Sequence, residues 1–194
     1  MKFLVDRLAF RNALQRVEMG IDRKPTNPMY GGVLVEAQND CLILMTNDLD
    51  MSVRYSLNHV QVTNPGWAVI PGRELVDIIK DLESDTVTLT LTKNNQVEIN
   101  SENDKCTLVT LDSSNSSSAD KSESFPVAPS CDIEADVVMD KNDFLTMVNS
   151  TRFATSKVQN SRFATEGILL ETKEDRMTMV GTDGRRLACI LRNI

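Results

Sequence analysis

A chain of 194 residues, 41% hydrophobic and 25% charged, has the composition of a globular protein with a buried core, and the length for one large domain or two small ones. Its formal net charge of -7 argues against a dedicated duplex binder, because such binding rests on Lys and Arg against phosphates, although a basic inner lining under an acidic exterior stays compatible with it. The apolar start Phe3-Leu4-Val5 ends at Asp6, too short for a secretory signal, and no apolar run approaches the roughly 18 residues of a membrane span. A cytoplasmic protein without membrane contact is therefore expected, with Cys41, Cys106, Cys131 and Cys189 reduced and buried as small hydrophobes.

Taken in chain order, Phe3-Leu4-Val5 reads as a short strand leading into Asp6. That carboxylate is placed to accept from the free N–H groups of a helix's first turn. The helix carries the apolar stripe Phe10, Leu14 and Val17, with Arg7 and Arg11 one turn apart on the opposite side. Gly32–Glu36 and the alternating Leu42 and Leu44 flank Asn39-Asp40 as a hairpin.

Ala68-Val69-Ile70 is a second short strand, and Pro71-Gly72-Arg73 opens a helix with Leu75, Ile78, Ile79 and Leu82. Its cations Arg73 and Lys80 are offset by Glu74, Asp77 and Asp81. Val87–Leu91 and Val97–Ile99 alternate around Asn94-Asn95, and Thr107–Leu111 follows as another strand. Asp112 to Ser124 is polar and Ser-rich. It buries too little apolar surface to offset its ordering entropy and reads as a flexible linker.

Val137-Val138-Met139 then leads into Asp140, a second N-cap, before Phe144, Met147 and Val148, with Lys141 at the helix start and Arg152 and Lys157 beyond its end. Gly167-Ile168-Leu169-Leu170-Glu171 matches Gly32-Val33-Leu34-Val35-Glu36 without a gap through Asp40/Asp175, Leu42/Met177, Leu44/Met179 and Asp48/Asp183. A unit of strand, helix and about three strands therefore recurs, its helices starting near Arg7, Arg73 and Lys141, about every 67 residues.

Such a unit exposes open sheet edges and an apolar face, which a neighbouring unit must cover. Residues 1–112 are expected to form one α+β domain of two units, 113–132 a linker, and 133–194 half of a second domain. That half is expected to expose an apolar face.

The catalytic inventory is nearly empty. His59 is the single histidine, with no Ser or Cys partner identifiable, and a turn role is expected for it. No P-loop or G-x-G-x-x-G occurs and no carboxylate spacing marks a metal site, so neither cofactor nor metal is expected. An enzyme built on the arginine-bearing turn Asp183-Gly184-Arg185-Arg186 has no nucleophile or base. Trp67 reads as a packing residue.

Met1-Lys2-Phe3, Ala13-Leu14-Gln15, Lys24-Pro25-Thr26-Asn27-Pro28, Thr46-Asn47-Asp48-Leu49-Asp50, Ile70-Pro71-Gly72-Arg73, Phe125-Pro126, Arg162-Phe163-Ala164-Thr165-Glu166-Gly167 and Gly181-Thr182-Asp183-Gly184-Arg185-Arg186-Leu187-Ala188 resemble, in order and spacing, successive signatures of the bacterial DNA polymerase III beta subunit. The resemblance implies a DNA-clamp fold, with repeated strand-helix-strands units and helices on one face of antiparallel sheets. It also implies a ring of two protomers that encircles duplex DNA and acts as a non-catalytic processivity factor. The chain corresponds to the first of three domains and half of the second.

Partners implied by the resemblance are duplex DNA, bound without sequence preference, and the replicative polymerase and clamp loader, bound through short peptides. Lys24, Arg7, Arg11, Arg73, Gln159, Arg162 and Phe163 are the implied DNA contacts. Arg162, Thr165, Thr182, Gly184, Arg185, Arg186 and Leu187 are the implied peptide groove. Cys106 and Leu108 lie on the strand implied to meet the other protomer of a homodimer. The alternative is a protein-binding fragment presenting part of the groove without encircling DNA.

Overall fold

A computed structural model describes residues 1–114, 125–126, 137–157 and 165–194. The chain divides into two compact units, Met1–Ser130 and Cys131–Ile194. No helix among the described residues is long and apolar enough to cross a membrane.

Unit 1 opens with β1 (Lys2–Asp6) and α1 (Arg7–Val17). The Asp6 carboxylate accepts from the Ala9 N–H at 2.7 Å, satisfying one of the donors that every helix start leaves free. Phe10, Ala13, Leu14 and Val17 form the buried side of α1. Strands β2 (Gly32–Gln38) and β3 (Cys41–Asn47) form the expected hairpin. Asn39 at its tip has φ 50°, and Glu174 in the matching turn of unit 2 has φ 49°. The two hairpins thus share a left-handed residue at the same repeat position.

Next come β4 (Ser52–Asn58), β5 (Gln61–Asn64), β6 (Gly66–Pro71), α2 (Gly72–Asp81), β7 (Thr86–Leu91), β8 (Gln96–Asn100), β9 (Lys105–Val109) and β10 (Asp112–Ser114). Sequence reading did not identify β4 or β5 and set β9 two residues too late. His59 stands exposed at the β4–β5 turn with φ 63°.

The sheets show how the repeats join. One sheet runs β5-β1-β7-β8-β9 and the other β10-β6-β2-β3-β4. Each repeat therefore gives its first strand to the hairpin of the other. Phe3, Leu4 and Val5 face Leu89, Thr88 and Val87, while Ala68, Val69 and Ile70 face Val35, Leu34 and Val33. The two halves are related by a pseudo-two-fold exchange. Helices α1 and α2 pack against one another and against the shared core, which includes Phe3, Phe10, Leu14, Val35, Leu75, Ile79 and Leu89.

The other face of the second sheet is also covered. Leu34, Ile43, Met45, Trp67 and Val69 bury Phe125, and the Asn47 side-chain amide donates to the Pro126 carbonyl at 2.8 Å. Trp67 is a packing residue, as read from sequence, although its buried Nε1 has no partner among the described residues. The supposed linker departs from expectation at its start. Asp112, Ser113 and Ser114 pair with Val69, Ala68 and Trp67, because β6 offers a free edge that a polar segment can use through its backbone. Residues 115–124 lie outside the described residues.

Unit 2 contains α3 (Lys141–Thr151), then β11 (Leu169–Lys173), β12 (Arg176–Thr182) and β13 (Leu187–Asn193) in one antiparallel sheet. The Asp140 carboxylate accepts from the N–H groups of Asn142 at 2.8 Å and Asp143 at 3.4 Å. Met147, Met177 and Met179 make the small core. Val137-Val138-Met139, expected as a strand, is not one. Its counterpart β1 lies between β5 and β7, whereas no strand lies beside residues 137–139 among those described. Phe144, expected within the apolar stripe, is 41% exposed. The cysteines also correct expectation: Cys41 and Cys106 are half-buried and Cys189 is exposed. Cys131 lies outside the described residues.

Candidate nucleic-acid and peptide interfaces

Arg7 does not stand free on its helix. Its Nε donates to the Ser84 carbonyl at 2.7 Å, and its backbone N–H donates to the Asp85 carbonyl at 2.8 Å. The guanidinium therefore ties the start of α1 to the loop after α2. Arg11 is half-buried, in a cleft of about 120 Å³ between α1 and α2 that Gln15, Glu18, Asp77 and Lys80 also line. Acid thus accompanies the base there.

A more open basic group forms at the far end of α1. Arg73, exposed in the first turn of α2, shares a cleft of about 270 Å³ with Gln15, Glu18, Met19, Ile21 and Arg23. Lys24 follows Arg23 in an exposed loop, where its N–H donates to the Asp22 carboxylate at 2.8 Å. Sequence reading missed Arg23. Its signal is the adjacent pair Arg23-Lys24, which becomes informative only when folding brings Arg73 to it. Arg16, another helical cation, lies 5.3 Å over the Tyr55 ring, a cation–π contact. Gln159, Arg162 and Phe163 lie outside the described residues.

In unit 2 the turn between β12 and β13 is tightly self-bonded. The Thr182 hydroxyl donates to the Arg186 carbonyl at 2.8 Å and accepts from the Gly184 N–H at 3.1 Å. The Asp183 carboxylate accepts from the N–H groups of Arg185 and Arg186, both at 3.0 Å. Its second oxygen accepts from Arg186 Nε, also at 3.0 Å. Gly184 has φ +83° with open space around its Cα, the left-handed turn position that glycine occupies without strain. The Arg185 N–H, then the Arg186 N–H and guanidinium, hold the Asp183 carboxyl below its ordinary range, because each bond favours the charged form.

Arg186 also lies 5.9 Å over the Phe153 ring. Two neighbours therefore orient it, an acid and an aromatic face. Thr155, Ser156, Lys157, Asp183, Arg185 and Arg186 line a cleft of about 380 Å³. The Ser156 N–H donates to the Thr165 carbonyl at 2.8 Å, which brings Thr165 beside the cleft. Leu187, at the start of β13, is 67% exposed. Of the sequence-read groove residues, Thr165, Thr182, Gly184, Arg185, Arg186 and Leu187 therefore lie in or next to one surface region. Phe153, Thr155 and Ser156 were missed, since nothing local marks them.

The third sequence-read site is β9, an edge strand. Cys106 and Leu108 pack on the core of unit 1, while Thr107 and Val109 are exposed. What β9 offers outward is its free backbone edge and these two side chains. Among the described residues no group of three or more His, Cys, Asp and Glu side chains is placed to hold a metal ion.

Residues 1–117 match the model of the family described as DNA polymerase III beta subunit, N-terminal domain. The chain is 28% identical over 194 residues to the beta sliding clamp of Chlamydia muridarum, covering 100% of this chain and 50% of that protein. It is 26% identical over 188 residues to the beta sliding clamp of Escherichia coli, covering 97% and 49%. The solved structure of Caulobacter crescentus pol III beta superimposes with a TM-score of 0.86 at 26% identity, over 100% of this chain and 50% of that one. A Bacillus subtilis DNA polymerase sliding clamp superimposes at 0.88 with 20% identity, over 100% and 50%, a likeness that speaks to fold alone. The chain spans about half the length of the curated relatives it matches.

Proposed function

This chain belongs to the DNA polymerase III beta-subunit family, and on that footing we propose that it forms part of a sliding clamp, a processivity factor that encircles duplex DNA and tethers the replicative polymerase and the clamp loader. It acts in the cytoplasm and without a catalytic step of its own. Residues 1–112 form the first clamp domain, 113–132 the connector and 133–194 the start of the second domain, and β9 contributes its edge to a homodimeric ring.

The observation that carries this reading is the meeting of Arg23 and Arg73 at one cleft, with Lys24 next in the chain, at the end of a helical layer in a chain of net charge -7. A few cations in an acidic protein suit contact with phosphates that holds DNA without fixing it in place. The test is retention on circular against linearised duplex. A clamp slides off free ends, so equal retention on both overturns encirclement. Arg23→Glu with Arg73→Glu is expected to lower retention on circles at least tenfold, and unchanged retention removes these residues from the contact.

A second reading, a protein-binding module that does not encircle DNA, is favoured by the cleft at Asp183–Arg186. Its exposed Arg185 and Lys157 and neighbouring Leu187 suit an extended peptide with apolar and acceptor groups. Titration of a polymerase-derived clamp-binding peptide tests it, and absence of saturable binding removes it.

A further inference from the structure

Phe125-Pro126 lies on unit 1 as a short peptide lies on a receptor. Its ring is 0% exposed against Leu34, Ile43, Met45, Trp67 and Val69, all on strands of the β10-β6-β2-β3-β4 sheet. Its backbone is held by the Asn47 side-chain amide, which donates to the Pro126 carbonyl at 2.8 Å. The Asn47 side-chain oxygen accepts from the Leu49 N–H at 2.8 Å. That bond fixes which way the amide points.

The anchor stands apart from the strand before it. Ser114, the last residue of β10, pairs with Trp67, and Phe125 packs with Trp67 again after residues 115–124, whose side chains are polar apart from Ala119. That stretch adds no large apolar side chain, so the ring and the Pro126 carbonyl are what grip the sheet. A short tether holds its anchor at an effective concentration on the order of 1 mM. Proline suits the task, since it fixes its own φ and restricts the residue before it, which presents ring and carbonyl in a set relation. The pocket also has an unmet donor. Trp67 is 3% exposed, and its Nε1 is buried without a partner among the described residues. An N–H closed off from water favours an occupant that brings it an acceptor.

We propose that this face of unit 1 is a peptide-binding site for an aromatic residue followed by proline, filled here by the chain's own Phe125-Pro126 and able to take a segment of that type from another protein. The occupant has this chemistry because it repeats what the site already holds: a ring in the apolar pocket and a carbonyl on Asn47. An outside segment gains over the chain's own by offering an acceptor to Trp67 Nε1. Site and occupant both belong to unit 1, so the inference is independent of the DNA reading.

The test uses the 194-residue chain and the peptide Ser-Glu-Ser-Phe-Pro-Val, the sequence of residues 122–127, labelled at its N-terminus for fluorescence anisotropy. Phe125→Ala empties the pocket and is expected to bind the peptide saturably. Wild type is expected to bind it about a hundredfold more weakly, because its tethered segment competes. Asn47→Ala added to Phe125→Ala is expected to weaken binding roughly fivefold, the worth of one hydrogen bond. Trp67 is the single tryptophan, so its one indole N–H resonance locates the peptide. That resonance is expected to shift as the peptide saturates and to stay in place with a peptide carrying Ala for Phe. If Phe125→Ala does not fold, Phe125→Leu, which keeps most of the apolar volume, carries the same titration. A folded variant without saturable binding overturns the proposal. So does binding that leaves the indole resonance unmoved, equal binding of the Ala peptide, or wild type that binds as tightly as the variant.

Discussion

The Thr46 hydroxyl donates a 2.7 Å hydrogen bond to the Val17 carbonyl, joining β3 to the last turn of α1 in a place fully closed to solvent. The last four carbonyls of a helix have no partner within it, and a buried one needs a donor from elsewhere. The matching junction of unit 2 is built differently. Gly181 takes the place of Thr46 and lies directly against the Thr151 carbonyl, where a Cβ would strike it. The Thr151 hydroxyl turns back to the Met147 carbonyl at 2.9 Å.

Thr46→Val keeps the shape of the side chain and removes the donor. The Val17 carbonyl is then buried without its partner, which costs about 1–3 kcal/mol. Urea unfolding followed at Trp67, the single tryptophan, measures it. An unchanged midpoint would mean that the carbonyl finds another donor.

Gly181→Ala acts on unit 2 instead. The added methyl meets the Thr151 carbonyl, and overpacking of this kind costs about 1–3 kcal/mol. Hydrogen exchange is expected to accelerate across α3 and β12 while α1 and α2 keep their protection. Equal acceleration in both units would contradict a local clash.

Phe125→Ala empties the aromatic site on the second face of the β10-β6-β2-β3-β4 sheet. Phe125 is fully buried against a group that includes Trp67, and removing such a ring costs about 3–5 kcal/mol. Water reaching Trp67 is expected to shift its emission to longer wavelength in the folded protein. Emission identical to wild type would mean that the surrounding side chains close over the gap.

Asp183 makes the β12–β13 turn sensitive to acid. Its folded carboxyl titrates below the ordinary 3.8, chiefly because of the Arg185 N–H bond. A lowered folded value means that the stabilising bonds are fully present above 3.8 and are lost as pH falls through the lower folded value. The Arg186 side-chain Nε–H resonance, followed by NMR, is expected to move with falling pH with its midpoint below 3.8. In Asp183→Asn that movement is expected to disappear. A wild-type transition above 3.8 would reverse the assigned sign.

Much of this protein was legible residue by residue, because the features concerned are local. Asp6 and Asp140 cap helices through bonds that span only a few residues. Asn39-Asp40 and Glu174-Asp175 close two-residue turns. The stripe of Phe10, Leu14 and Val17 has the helical period, and the match of Gly32–Glu36 to Gly167–Glu171 marks the repeat in the sequence. The turn Thr182–Leu187 could be singled out in the same way.

Other features were decided only by distant pairing. β10 carries no apolar pattern and exists because β6 leaves an edge beside it. Val137–Met139 has the pattern of a strand and is not one, because a strand is completed by its neighbour. Arg7 meets the Ser84 carbonyl, 77 residues further along the chain, only in the folded protein. Phe153 and Thr165 acquired a place near the Arg186 cleft only through folding, as Arg23 and Arg73 did at theirs. The repeat, the caps and the turns are settled over a few residues of chain and so can be read along it. Which strand completes which sheet, and which cations meet at one cleft, depend on partners that only folding brings together.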